Sequence, residues 1–177
     1  MSKRSLLVRI GVPAAALAMF AGCSPSPATA IELDGARVSE STITRYADGC
    51  SKMLDAGGGA GQYTPGDIRR VVVSYVGEGM IADQLAREYG VTLSDSDMDQ
   101  AKQALGNARG LLADNDCAQA VDGQLRLTAL VLSAKGKNVQ KDAASLAPVV
   151  NPRYGAWSPT DFAVAGTGSL SKLSTDR

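Results

Sequence analysis

Histidine is missing from all 177 residues. The side chain most often used as a general base near neutrality, and most often as a metal ligand, is therefore not on hand. Serine and cysteine nucleophiles lose their usual partner as well. No charge dominates, since 18 Lys and Arg face 18 Asp and Glu. No basic patch of the kind that holds nucleic acid or anionic lipid can be read from such a balance, and no RNA- or DNA-reading motif occurs. Cysteine is scarce, with three in the chain, and no CxxC spacing marks a redox pair. The glycine-rich run Gly57-Gly58-Gly59-Ala60-Gly61 is not followed by GK[ST], so it is read as a flexible turn and not a phosphate loop.

Long apolar runs are also missing. The longest uncharged apolar stretch near the start, Ile10 to Phe20, has 11 residues, short of the ~20 needed to span a bilayer. Lys3, Arg4 and Arg9 precede it and the small residues Ala21-Gly22 follow, the layout of a secretory signal. Cys23 directly after Ala21-Gly22 resembles a bacterial lipobox, although Phe20 stands where Leu is usual. That resemblance implies cleavage after residue 22 and lipidation of Cys23, placing the protein on the outer face of the cell membrane. Each buried acyl CH₂ adds ~0.8 kcal/mol of membrane affinity. Residues 23–30, rich in Ser and Pro, then form a tether. Removing the first 22 residues leaves 155, with 15 basic and 18 acidic side chains, a charge of −3. That length suits one domain.

Two cysteines remain, Cys50 and Cys117. In an oxidising compartment an intramolecular disulfide is the leading reading. It would close a loop of about 68 residues, for roughly 4 kcal/mol of chain entropy. Two buried thiols acting as small apolar groups are the alternative.

The pattern along the chain is mainly helical. Residues 31–38, IELDGARV, alternate around Asp34-Gly35 and read as a short hairpin. Ser39 opens a helix with Ile43, Tyr46, Ala47, Cys50, Met53 and Leu54 at helical spacing. Thr64-Pro65-Gly66-Asp67 starts a long helix that runs to Tyr89 and stops at Gly90. It is apolar on more than one side, which marks a central helix. Ser94 to Asp97 cap a third helix carrying Met98, Ala101, Leu105, Ala108 and Leu112 as one stripe. Asn115-Asp116 recaps the chain into a fourth helix that ends near Lys135-Gly136-Lys137. Residues 146–157, LAPVVNPRYGAW, are extended and suited to pairing with the strand around Leu33. The stretch 158–177 is small and polar and reads as a flexible tail.

The order of LDGARVSESTI, a helix, AREYGVTLSDSDMDQA and a closing VVNPRYGAW resembles the N-terminal chaperone domain of SurA- and PrsA-like foldases in a short lipoprotein form. The resemblance covers residues 31–157 and implies a four-helix domain with a small sheet formed by the N- and C-terminal segments. It implies binding of unfolded or partner polypeptides. The family's parvulin isomerase module needs ~90 residues, while only Gly136 to Pro148 lies in its place, and its site uses His. Isomerase activity is therefore not carried over.

Asp95, Asp97 and Asp99, and Asp114 with Asp116, lie at helix starts, where the dipole favours acids; capping explains them better than acid–base work. Their spacing lacks the Gly and terminal Glu of an EF-hand loop. No catalytic, cofactor or metal set is expected, and the chain is not read as an enzyme. Candidate peptide contacts are Tyr75 and Met80 on the long helix and Arg153, Tyr154 and Trp157 in the closing segment. For Arg153 and Tyr154 the competing role is to lock the chain ends together, with Arg153 paired to an acid. The expected function is that of a membrane-anchored extracytoplasmic chaperone-like protein. A structural or adaptor lipoprotein with one dedicated protein partner is the alternative.

Overall fold

Asp34 and Gly35 both take positive φ, 48° and 78°. This two-residue turn matches the twist of paired strands. It joins β1 (Thr29–Leu33) to β2 (Ala36–Ser39) as an antiparallel hairpin. The computed structural model describes residues 26–166; residues 1–25, which include the expected signal segment and Cys23, and residues 167–177 lie outside them. Five α-helices follow or interleave: α1 (Glu40–Leu54), α2 (Pro65–Tyr89), α3 (Asp95–Ala104), α4 (Asn115–Ser133) and α5 (Val139–Ala144). A wide turn over Asp55–Gly59 ends α1, and a 3₁₀ helix over Gly106–Ala113 precedes α4. The chain closes with β3 (Val149–Val150), β4 (Ala156–Ser158) and β5 (Ala163–Ala165). It is mainly helical with two small antiparallel sheets.

The helix starts follow their caps. Thr64 accepts from the Asp67 amide at 3.1 Å while Asp67 accepts from the Thr64 amide at 3.2 Å. Ser94 and Asp97 repeat this reciprocal arrangement on α3, and Asp114 caps α4. Gly90 ends α2 in the left-handed conformation. The stripe from Met98 to Leu112 is not one helix. Gly106, with φ 52°, breaks it after Ala104, and the chain re-forms as the 3₁₀ segment.

At the centre α2 packs on α4 more extensively than any other pair of elements. Gly79 and Gly123 make this possible. A Cβ on Gly79 would sit 2.8 Å from the Gly123 Cα, and one on Gly123 would drive into the Tyr75 carbonyl. Around this crossing Ile81, Leu85, Leu130, Val72, Val73 and Val121 are fully buried. Cys50 and Cys117 are joined in a disulfide that ties α1 to α4.

The first described strand and the segment after α5 meet as the sequence suggests. β3 adds to β1, with Ile31 opposite Val150. Asn151 fastens this pairing, its amide donating to the Ala30 carbonyl at 2.8 Å and its side chain to the Thr29 carbonyl at 3.0 Å. Residues 158–166, assigned by sequence to the tail, instead fold back. β5 pairs with β4, Trp157 opposite Val164. The Val164 amide donates to Ser74 Oγ on α2 at 2.9 Å.

Candidate functional site

Along one side of α2, Val71, Tyr75 and Glu78 follow at spacings of four and three, which places them on one face. Two apolar concavities open beside this face. The first, about 230 Å³, lies between the end of α1, the start of α2 and the 3₁₀ segment. Leu54, Tyr63, Ile68, Val71, Tyr75 and Leu111 line it. The second, also about 230 Å³, lies between α2, α4, α5 and the β4–β5 turn, with Glu78, Leu127, Val131, Leu132 and Phe162 in its wall. The spacing of Val71 and Glu78 corresponds to roughly 10 Å along the helix axis. Large apolar side chains remain in solvent at both places: Tyr63 is 53% exposed, Val71 47%, Val131 46% and Leu132 51%. They stand where a monomer would usually carry polar groups on its helix faces.

Glu78 is the charged residue within the second groove. The groups facing it are Gln124 and Thr128 from α4, Gln140 from α5 and Phe162 from the hairpin. Burial pushes its carboxyl up to about 8, because the charged form loses water and gains no cation. Tyr75 is pushed up as well, first by burial and then by Glu78.

The candidate contacts named from the sequence are spread over the molecule. Tyr75 lines the first concavity. Met80 lies in a different hollow with Val38, Tyr46, Asp83 and Arg126. Arg153 and Tyr154 line a third, polar hollow with Glu40, Arg69 and Arg70. There the Tyr154 hydroxyl donates to Glu40, and Arg153 approaches the same carboxylate at 3.5 Å. Burial, ahead of the Glu40 bond, raises the Tyr154 phenol above its usual range. This is the locking role weighed for the pair, with Glu40 as the acid. Trp157 lies half-buried over α2, where a Cβ on Gly77 would meet its ring at 2.5 Å. These five residues do not form one surface. Glu78, Tyr63, Val131, Leu132 and Phe162 were not singled out from sequence. A lone Glu inside VVVSYVGEGMIA is the signal that points to Glu78.

Among the described residues no three His, Cys, Asp or Glu side chains converge as a metal set, and no helix is long and apolar enough to cross a membrane. Comparison with protein-family models, with curated proteins and with solved structures finds no match to this chain.

Proposed function

We propose that this protein is an extracytoplasmic, lipid-anchored module that binds unfolded or partner polypeptides through the Val71–Tyr75–Glu78 face of α2. The observation that carries the reading is the placement of Tyr63, Val71, Val131 and Leu132, all about half in solvent, around two apolar concavities on that one side. Burying such groups against a partner yields ~25 cal/mol per Å² before ordering costs. The SurA-like order of segments in the sequence supports the same reading, as does the lipobox-like Cys23 for the anchor. On this face of α2 a closed small-molecule site fits less well, because drug-sized ligands occupy about 300–1,000 Å³, and each of its two concavities holds about 230 Å³.

The test is binding of unfolded polypeptide by the mature protein. Calorimetry with an apolar peptide, and aggregation of a reduced, unfolded client, are expected to show binding and suppression. Val71→Asp and Leu132→Asp place charge on exposed positions, so the fold is kept. Each is expected to weaken binding roughly tenfold. Absence of binding and suppression at stoichiometric excess would end the reading. Tight binding to one folded envelope protein, with none to unfolded chains, would favour the adaptor role.

A further inference from the structure

We propose that the groove at Glu78 selects a Lys or Arg side chain set within an apolar stretch of the partner polypeptide. This rests on the polypeptide-binding reading above and names the segment that the face takes.

The argument begins with pairing. Seven carboxylates of the described residues stand in ion pairs: Glu32, Glu40, Asp67, Asp83, Asp99, Asp116 and Asp122. Glu78 is one of about ten described carboxylates in no ion pair, and it lines the mostly apolar second groove. The groove is lined from α4 and α5 by Gln124, Thr128, Gln140 and Leu127, with Phe162 from the hairpin, and the titratable group that interacts with Glu78 is the Tyr75 phenol on α2. A carboxylate in such a setting lacks a cation to offset its lost hydration. The groove is complementary to a group with an aliphatic stem and a positive end. The methylenes of Lys or Arg would lie along Leu127, Val131 and Leu132, and the cation would reach Glu78. Flanking apolar residues of the partner would cover Val131 and Leu132, which otherwise stay in water. The carboxyl, pushed up to about 8 in the free protein, holds its proton at neutral pH. Entry of a cation would expel that proton, so binding and proton release are linked.

Two blocked heptapeptides test this against the full mature protein, Gly-Val-Leu-Lys-Leu-Val-Gly and the same peptide with norleucine for lysine. The lysine peptide is expected to bind about tenfold more tightly at pH 8.5, with the preference shrinking at pH 6. Calorimetry in buffers of different ionisation enthalpy is expected to show about half a proton released per peptide at pH 7. Glu78→Gln is expected to abolish the preference and the proton release. Equal binding of both peptides by the unsubstituted protein would overturn the inference and leave the polypeptide reading intact. So would a lysine preference that survives Glu78→Gln. Binding of neither peptide would remove both. A concentration-dependent dimer dissolved by Glu78→Gln would put a second copy in the groove and overturn the choice of partner.

Discussion

At the scale of single residues, Glu78 links the groove to stability. Its carboxyl sits near 8 in the folded protein, against the ordinary 4.5. Between those values the folded state keeps a proton that the unfolded chain has released. Stability is therefore greatest below the unfolded value and falls as pH rises towards the folded one. Glu78→Gln removes this titration. Urea midpoints from pH 4.5 to 8.5 are expected to fall less steeply for the variant, by an amount on the order of a few kcal/mol at the upper end. A parallel pair of curves would show that the groove does not desolvate the carboxyl. Gly123 is the opposite kind of residue, defined by what it leaves out. Gly123→Ala would force its Cβ against the Tyr75 carbonyl, which is backbone and cannot swing away. A loss of about 1–3 kcal/mol or more, read from denaturant midpoints, is expected from such overpacking.

At the scale of elements, the helices begin where short polar side chains can take up free amides. Thr64→Ala removes the cap of α2 and is expected to lower stability by about 1 kcal/mol. The disulfide acts between elements, since Cys50 and Cys117 are 67 positions apart and join α1 to α4. Reduction is expected to lower the urea midpoint by the equivalent of roughly 4 kcal/mol, and an unchanged midpoint would mean that the unfolded chain is not constrained by the link. What was legible in sequence follows the same division. Caps and stops are local, so both ends of α2 and the turn at Asp34-Gly35 could be read from a few residues. The pairing of β3 with β1 was also legible, through Pro148, Pro152 and the valines between them. The break at Gly106 was hidden because the apolar stripe continues in phase across it. The return of β5 was hidden because Ala163-Val164-Ala165 has little strand signal of its own; its place is set by Trp157 and by Ser74 far away in the chain. The grooves were illegible for a like reason. Val71, Val131 and Leu132 look like core residues until the packing shows that nothing covers them.

At the scale of the whole molecule, the placement of Pro27 and Ala28 determines how a lipid anchor at Cys23 would orient the face. The Arg153 guanidinium donates to the Pro27 carbonyl at 3.4 Å, and Ala28 accepts from the Glu40 amide at 2.9 Å. The start of the folded chain is thus fixed beside the polar hollow of Glu40, Arg69 and Arg153. Cys23 precedes Thr29 by six residues, a reach of at most about 20 Å. In a protein anchored at Cys23, the hollow therefore stays near the lipid surface. Arg69 and Glu78 are nine residues apart on α2, roughly 13 Å along its axis. The two concavities would then lie along a helix whose start is held close to the lipid. Cys23→Ser tests the premise without touching the described fold. Expressed with residues 1–22 in place, the unsubstituted protein is expected in the detergent phase of a Triton X-114 separation. The variant is expected in the aqueous phase, with the same urea midpoint for the folded domain. If both forms stay in the detergent phase after their first 22 residues have been removed, the attachment is not through Cys23 and the orientation argued from its reach is lost. The peptide measurements do not depend on that result.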